Sequence, residues 1–461
     1  MKLKNIAAVI MILCIAVSGC SPKSAQGTTG SEASEPVESQ GGETKANETE
    51  SAKEEQEQYT ITYWHHDASS DIVAALEKVI ADFETENPNI KIDMLALPAD
   101  GFYQKYVSAV ATGTAPDIFG TRDTEMLALV GQDALIPLDD YIADWDCREE
   151  IPESIWESVK SFTGDGKTYM IPSYMNACCM WYNTKLMEER DAKIPETLDA
   201  FLESCETYAD PAGNSYFYTL RGGAGCYDNL FIFLMTYGGG TGFFDENGEC
   251  VLSQDIYAEA LDKYAEIYKN GWVSRDSITN AAKEMMAEFG SGTAMCFSHN
   301  SASVTTNQAN LGDGAFINAI HPAGENGKTA IPTPNLIGAA VTTQSQHPDI
   351  AVKFVEYLAE HDPSSYFCQN AGKTPINNLI YEQDDWCKND PYMPLYQEIM
   401  SSENVVLYSN PIWLEEWTSM INNDIVSDLQ AVLMGEKDSK TVLEGWAEKL
   451  TAGQQAYLKS R

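Results

Sequence analysis

The side chains that commonly carry catalysis or hold metals are spaced in ways that disfavour both roles in this chain of 461 residues. No two cysteines have C-x-x-C spacing, and the six histidines are scattered apart from the adjacent pair His65-His66, so a zinc site has no sequence support. The chain also lacks the G-x-S-x-G, H-E-x-x-H and G-x-x-x-x-G-K-[ST] motifs. We therefore expect no metal, no cofactor and no catalytic residue.

The number of acidic residues does not exclude a catalytic pair of carboxylates, as in a glycosidase, because the chain has 69 Asp and Glu. Only 29 Lys and Arg oppose them, for a net charge of -40. Nucleic acid and anionic membrane surfaces are poor partners, since binding to phosphate requires clustered Lys and Arg. The same charge disfavours anionic solutes and keeps a cationic solute, such as a polyamine, as an alternative ligand.

The elements that would position a site begin at residue 59. Segments 59–64 and 90–97 have strand patterns, whereas 72–87 and 102–112 repeat apolar residues at helical spacing. A turn and a short buried strand follow at 113–119. This β-α-β-α-β order predicts a parallel sheet covered by helices, in which ligands lie beyond the carboxyl ends of the strands. The length exceeds what one core usually organises, so we expect two lobes.

The N-terminal residues indicate export and anchoring. Lys2 and Lys4 precede an apolar run, 6–17, that is shorter than the ~20 residues a membrane-spanning helix needs. Val17-Ser-Gly-Cys20 resembles the lipobox of bacterial lipoproteins, whose cysteine is lipidated. We therefore predict a signal peptide at 1–19, lipidation at Cys20 and a disordered acidic tether over 20–58, on the extracellular face of the cell membrane. The nine later cysteines are an odd number, so a disulfide framework is not expected.

Five short motifs follow one another along the body of the chain. They are ATGTAPDIF at 111–119, LIPLDDY at 135–141, GKTYMIP at 166–172 with WYNTK at 181–185, FGSGTAM at 289–295 and HPDIAVKF at 347–354. In this order they resemble the motifs of family 1 extracellular solute-binding proteins, the sugar-type, maltose-binding-like receptors of ABC importers. Each motif also turns or packs the chain, so the resemblance indicates a fold without naming a ligand.

The resemblance implies an α/β protein with two lobes, each a mostly parallel sheet flanked by helices, joined by hinge strands. The lobes close around a solute because the closed form contacts it from both sides. Lobe 1 would comprise 59–173 with 323–375, and lobe 2 would comprise 174–322 with 376–461. The implied function is to deliver the solute to an ABC permease, as a monomer and without chemistry. A sensor that serves a membrane kinase remains an alternative.

In such a fold the ligand is contacted by loops at strand ends. A saccharide needs flat aromatic faces over its C–H surface and planar polar groups that hydrogen-bond adjacent hydroxyls. The candidate contacts that combine these properties are Trp64, His65, His66, Asp67, Arg122, Asp123, Tyr174, Asn176, Arg221, Asn300 and Trp413. Each has an ordinary alternative, because a tryptophan can be core, the histidines a solvated loop, and the arginines parts of surface ion pairs.

The resemblance and these residue types favour a carbohydrate, a short oligosaccharide, as the ligand. Maltose-type relatives use an acid near Asn176, and others place an aromatic residue near Asn300, so the sequence names no particular sugar.

Overall fold

The computed structural model describes residues 57–98, 101–163 and 165–459. The predicted signal peptide, Cys20 and all but the last two residues of the tether lie outside these ranges. Among the described residues, no helix combines the length and apolar character needed to cross a bilayer.

The described chain alternates strands and helices. The strands are β1 (Tyr59–His65), β2 (Ile90–Ala96), β3 (Ile118–Arg122), β4 (Ile171–Asn176), β5 (Cys178–Asn183), β6 (Tyr216–Tyr218), β7 (Ala294–Asn300), β8 (Phe316–Ala319), β9 (Thr329–Pro332), β10 (Asn335–Val341), β11 (Thr374–Pro375) and β12 (Val405–Tyr408). The helices are α1 (Ser70–Glu86), α2 (Phe102–Thr112), α3 (Asp123–Val130), α4 (Asp139–Ala143), α5 (Glu153–Ser161), α6 (Thr184–Glu189), α7 (Leu198–Thr207), α8 (Tyr227–Gly238), α9 (Asp255–Lys269), α10 (Ala282–Gly290), α11 (Ser303–Leu311), α12 (Pro348–Tyr357), α13 (His361–Ala371), α14 (Asn378–Gln383), α15 (Asp385–Lys388), α16 (Met393–Ser401), α17 (Glu415–Asn423), α18 (Ile425–Leu433) and α19 (Ser439–Lys459). Single 3-10 turns lie at Arg148–Glu150, Val251–Ser253 and Arg275–Ile278.

The first sheet has six strands in the order β11-β4-β10-β3-β1-β2. The predicted β-α-β-α-β order is confirmed, since β1 pairs in parallel with both β2 and β3. Helix α1 forms because its apolar residues recur every three or four positions, and it buries Ile72, Leu76, Val79 and Phe83 on one face. It ends at Asn87, just before Pro88, where the backbone N–H of Asn87 donates to Phe83 O.

The second sheet has four strands in the order β6-β7-β5-β8. The expectation of mostly parallel sheets is wrong for both lobes. Three of the five neighbouring pairs in the first sheet are antiparallel, as are two of the three pairs in the second. Strands β4, β5 and β10 lie where the chain crosses between the sheets, so they enter without the crossover helix that parallel pairing requires.

The crossing from the first sheet to the second is abrupt. Strand β4 remains paired with β10 as far as Asn176, and β5 begins in the other sheet at Cys178. The buried Ala177 is the only residue between them, and its carbonyl accepts the Ser301 N–H over 3.0 Å. The predicted lobe ranges stay predictions, although β4 follows the first sheet three residues beyond 173.

Two groups of buried apolar residues hold the lobes together. The first surrounds Phe83, Phe119 and Phe354, and the second surrounds Tyr264 and Trp446. The hinge side chain Trp181 is fully buried in the first group. The first group also includes Phe297 and Phe316 from strands of the second sheet, so it continues across the crossing between the two sheets.

Candidate binding site

A cleft of about 300 Å³ lies between groups of residues that belong to the two lobes. Its lining residues are polar or aromatic, with a few aliphatic ones: Asp123, Thr124, Ser161, Phe162, Tyr227, Asp228, Thr333, Asn335, Ser409, Asn410, Ile412, Trp413, Trp417, Thr418 and Ile421. Asp123 and Thr124 begin α3, and Ser161 and Phe162 lie at the end of α5, whereas Tyr227 and Asp228 begin α8 and the residues from 409 onward follow β12. Such a concave, mixed surface can enclose a small polar ligand.

Asp123 forms one wall of the cleft because α3 begins where the buried strand β3 ends. Its side chain accepts hydrogen bonds from the N–H groups of Thr124 (2.8 Å) and Leu336 (3.4 Å), and from Asn335 Nδ2 (3.5 Å). Only 5% of the residue is exposed. Burial raises the pKa of Asp123 to about 7, because these hydrogen bonds offset only part of the lost hydration. Asp123 thus joins the start of α3 to the start of strand β10.

The opposite wall carries an ion pair at the start of α8. Arg221 Nη1 lies 3.1 Å from Asp228 Oδ2, and Arg221 Nε donates to the carbonyl of Ala224 over 2.8 Å. Gly225 has φ +76°, and a Cβ there would stand 1.8 Å from Arg221 Nη2, so the turn that holds this guanidinium requires glycine. Burial raises the pKa of Asp228, and Arg221 opposes the shift. Asp228 is itself a lining residue of the cleft.

Aromatic side chains complete the second wall. Trp413 is half-buried, and its Nε1 donates to Gln454 Oε1 over 2.8 Å, which fixes the plane of the indole. The rings of Tyr227 and Trp417 meet edge to face with centroids 5.9 Å apart. Rings held in this way can present flat apolar surfaces without losing conformational entropy when a ligand binds.

Four predicted residues gather elsewhere, at the end of β1 and along β4. His65 and His66 are buried with ring centroids 4.5 Å apart, and the Asp67 N–H donates to His65 Nδ1 over 3.2 Å. Burial lowers the pKa of His65 to about 4, so the ring is neutral at pH 7. Tyr174 is buried, with Lys373 Nζ 5.8 Å from its ring centroid. None of these side chains is among the described residues that line the cleft.

The other predicted residues have protein partners. Trp64 packs on Tyr106 and Phe119 with both ring centroids at 6.3 Å. Arg122 Nη2 lies 2.9 Å from Glu125 Oε1.

Two predicted asparagines lie at strand ends. Asn176 stands opposite Asn335 in the β4–β10 pair, and Asn300 Oδ1 accepts the Ala302 N–H over 3.1 Å. Of the eleven predicted contacts, the structure therefore brings Asp123 and Trp413 to the cleft and connects Arg221 to it through Asp228; ligand contact by the others stays a prediction.

Several lining residues were not among the predicted contacts. Asp228 lies seven residues after Arg221, and no local pattern distinguishes it from other acids on amphipathic helices. Asn335 begins β10 and reaches Asp123 across more than two hundred residues of chain. Asn410 and Ile412 lie within three residues of the predicted Trp413, and Thr124 directly follows the predicted Asp123.

Comparisons with known proteins agree with this architecture. The sequence profile of the bacterial extracellular solute-binding proteins matches residues 67–363. A protein named as a binding protein in Brucella abortus (strain 2308) is 25% identical over 383 residues, which cover 82% of this chain and 89% of that one. The arabinooligosaccharide-binding protein of Halalkalibacterium halodurans is 26% identical over 198 residues, 41% of this chain and 42% of that one.

Solved structures share the fold. The sugar-binding protein MalE of Xanthomonas citri superposes with a TM-score of 0.72 at 18% identity, covering 87% of this chain and 99% of that one. The profile match spans more than half of the chain and confirms the resemblance carried by the five motifs, and the structural match confirms the two-lobed α/β fold. The chain belongs to the bacterial extracellular solute-binding protein family.

Proposed function

We propose that this protein is the extracellular receptor of an ABC importer, that it captures a carbohydrate by closing its lobes, and that it makes or breaks no bond. Cys20 would carry the lipid that tethers it to the membrane, and a permease would receive the closed form. The family is extracellular, and relatives in it are named for binding sugars. The tether and the permease rest on the sequence of residues 1–58 and on the family.

The cleft of about 300 Å³ carries the proposal. It joins a flat indole, Trp413, to amides and hydroxyls from both lobes, which is the combination that a sugar ring requires. A ligand that contacts both Asp123 and Trp413 would bind the closed arrangement better than an open one, and would therefore shift the population toward it.

A cationic solute such as a polyamine is the second candidate. Its support is that two carboxylates, Asp123 and Asp228, face the same cleft. A linear polyamine would leave the amide and hydroxyl groups of Asn335, Thr333 and Ser409 with few partners, whereas a saccharide could satisfy them. We therefore rank the saccharide first.

Isothermal titration calorimetry against a panel of mono- and oligosaccharides, with spermidine as the cationic probe, tests the proposal. We expect at least one saccharide to bind with 1:1 stoichiometry. Trp413→Ala should weaken that binding by about ten- to a hundredfold, the loss expected for a central aromatic anchor.

Trp272→Ala is the matched control, because Trp272 is also half-buried on the second core and is not a lining residue. It should leave the affinity within about twofold of the parent, well under the tenfold that 1.4 kcal/mol represents. Binding of spermidine without any saccharide would replace the first candidate by the second. Turnover of any saccharide by the purified protein would refute the receptor role.

A further inference from the structure

The cleft has an unusual charge balance. The described residues that line it include two carboxylates, Asp123 and Asp228, and no Lys, Arg or His. Asp228 has a counter-ion, since Arg221 Nη1 lies 3.1 Å away. Asp123 has none, because within the described part of the chain no cationic side chain approaches it to 4.0 Å.

The hydrogen bonds of Asp123 are also incomplete. A carboxylate offers about four acceptor sites, and only the Thr124 N–H, at 2.8 Å, makes a short bond to this one. The bonds from Leu336 and Asn335 are long, at 3.4 and 3.5 Å. The adjacent cation, Arg122, forms its ion pair with Glu125 over 2.9 Å. Buried charges in proteins are normally paired, so Asp123 lacks the partner that its burial calls for.

A second group in the cleft lacks a partner. The Oδ1 atom of Asn410 is buried and has no hydrogen-bond partner among the described residues, and Asn410 lines the cleft near Trp413. A buried amide oxygen without a donor costs free energy unless a ligand supplies one.

These observations narrow the kind of saccharide. We propose that the ligand is an amino sugar whose ammonium group pairs with Asp123, while its ring covers Trp413 and its hydroxyls bond to the asparagines. An ammonium donates three hydrogen bonds and carries the charge that Asp123 lacks, whereas a neutral sugar supplies hydroxyl donors only. This inference rests on the proposed function, because it specifies the ligand of the same cleft.

Calorimetry at pH 7 with matched pairs of sugars tests the amino-sugar proposal. Each pair differs in one amino group against one hydroxyl: glucosamine with glucose, galactosamine with galactose, and the glucosamine β-1,4 disaccharide with cellobiose. We expect the amino member of at least one pair to bind about tenfold or more tightly, the usual advantage of a charged hydrogen bond. N-acetylation, which removes the charge and keeps the nitrogen, should abolish that advantage.

Asp123→Asn is the decisive variant because it keeps the shape and removes the charge. The preference for the amino member over the neutral member should fall to less than about threefold. A thermal melt confirms that the variant is folded. As a control, Asp313→Asn removes an exposed carboxylate outside the cleft lining and should leave the preference unchanged.

The outcomes separate the two proposals. Equal or tighter binding of the neutral members, or a preference that survives Asp123→Asn, overturns the amino-sugar inference and leaves the saccharide receptor standing. Binding of spermidine but of no saccharide, or binding of no probe at all, overturns both.

Discussion

Asp123→Asn should change the stability of the empty protein in a direction that depends on pH. Asp123 has a pKa of about 7 in the folded protein against an ordinary value of 3.8. Between these values the folded state binds more protons than the unfolded state, so the free energy of unfolding falls as the pH rises from about 4 to about 7. About three pKa units at 1.36 kcal/mol each give a cost of up to about 4 kcal/mol above pH 7. This cost is not reduced for solvent screening, because only 5% of Asp123 is exposed.

Asparagine cannot ionise, so it avoids this cost. It should weaken the two long hydrogen bonds from residues 335 and 336, which we set at about 1 kcal/mol in total. The variant should therefore be more stable than the parent by about 3 kcal/mol at pH 8, and the two proteins should be about equally stable near pH 4.5, where the cost of ionising Asp123 has fallen to about 1 kcal/mol.

Urea denaturation of both proteins at pH 4.5, 6 and 8, followed by tryptophan fluorescence, measures the difference. Other titrating groups are common to both proteins and cancel. Asp313→Asn, which removes an exposed carboxylate, should show a difference that stays within about 0.5 kcal/mol at every pH. An Asp123→Asn difference that does not vary with pH would show that this carboxylate is ionised at an ordinary pKa, and the reasoning about its missing counter-ion would fail.

Three further predictions follow from the packing and charges. Gly338→Ala should destabilise the fold by about 2 kcal/mol or more in urea titrations, because its Cβ would stand 2.1 Å from the Ile171 carbonyl oxygen. Gly445→Ala, in α19 with open space around it, should stabilise the fold by about 0.5–1 kcal/mol. Equal effects of the two substitutions would refute the steric argument. Arg221→Ala should weaken ligand binding measured by calorimetry and should destabilise the protein by about 1 kcal/mol. The value is reduced for solvent screening because 37% of the Asp228 side chain is exposed. Unchanged binding would show that Arg221 does not belong to the site. Maleimide should label the native body only at Cys147 and Cys178, the two partly buried residues among the nine free cysteines between 147 and 387. All nine should react in urea, and rapid labelling of the seven buried cysteines in the native protein would contradict their burial.

The early part of the first lobe could be predicted from local pattern alone. The spacing of apolar residues over 72–87 and 102–112 anticipated α1 and α2 within two residues at each end, because helix formation there depends on neighbours three and four positions away. The turn before β3 was equally local. The directions of the later strand pairs could not be predicted from local pattern, since β10 meets β3 and β4 only after the chain has passed through the second lobe.

The candidate site divides in the same way. Asp123 could be proposed because it follows a buried strand, and Trp413 because a tryptophan offers the flat aromatic face that a sugar ring requires. Asp228 could not be proposed from the sequence, because its place in the cleft depends on the approach of α8 to the first lobe. His65 and His66 had the same sequence signal as Asp123, yet they are buried beside Tyr174 and away from the cleft lining.

By itself the sequence determined the family, the two-lobed α/β class and the absence of recognisable catalytic motifs, because these depend on composition and on short motifs in a fixed order. The tertiary structure alone decided which strand pairs are antiparallel, where the chain crosses between sheets, and which polar side chains share the cleft. Those features depend on contacts between segments more than two hundred residues apart, and the same contacts leave Asp123 buried without a counter-ion.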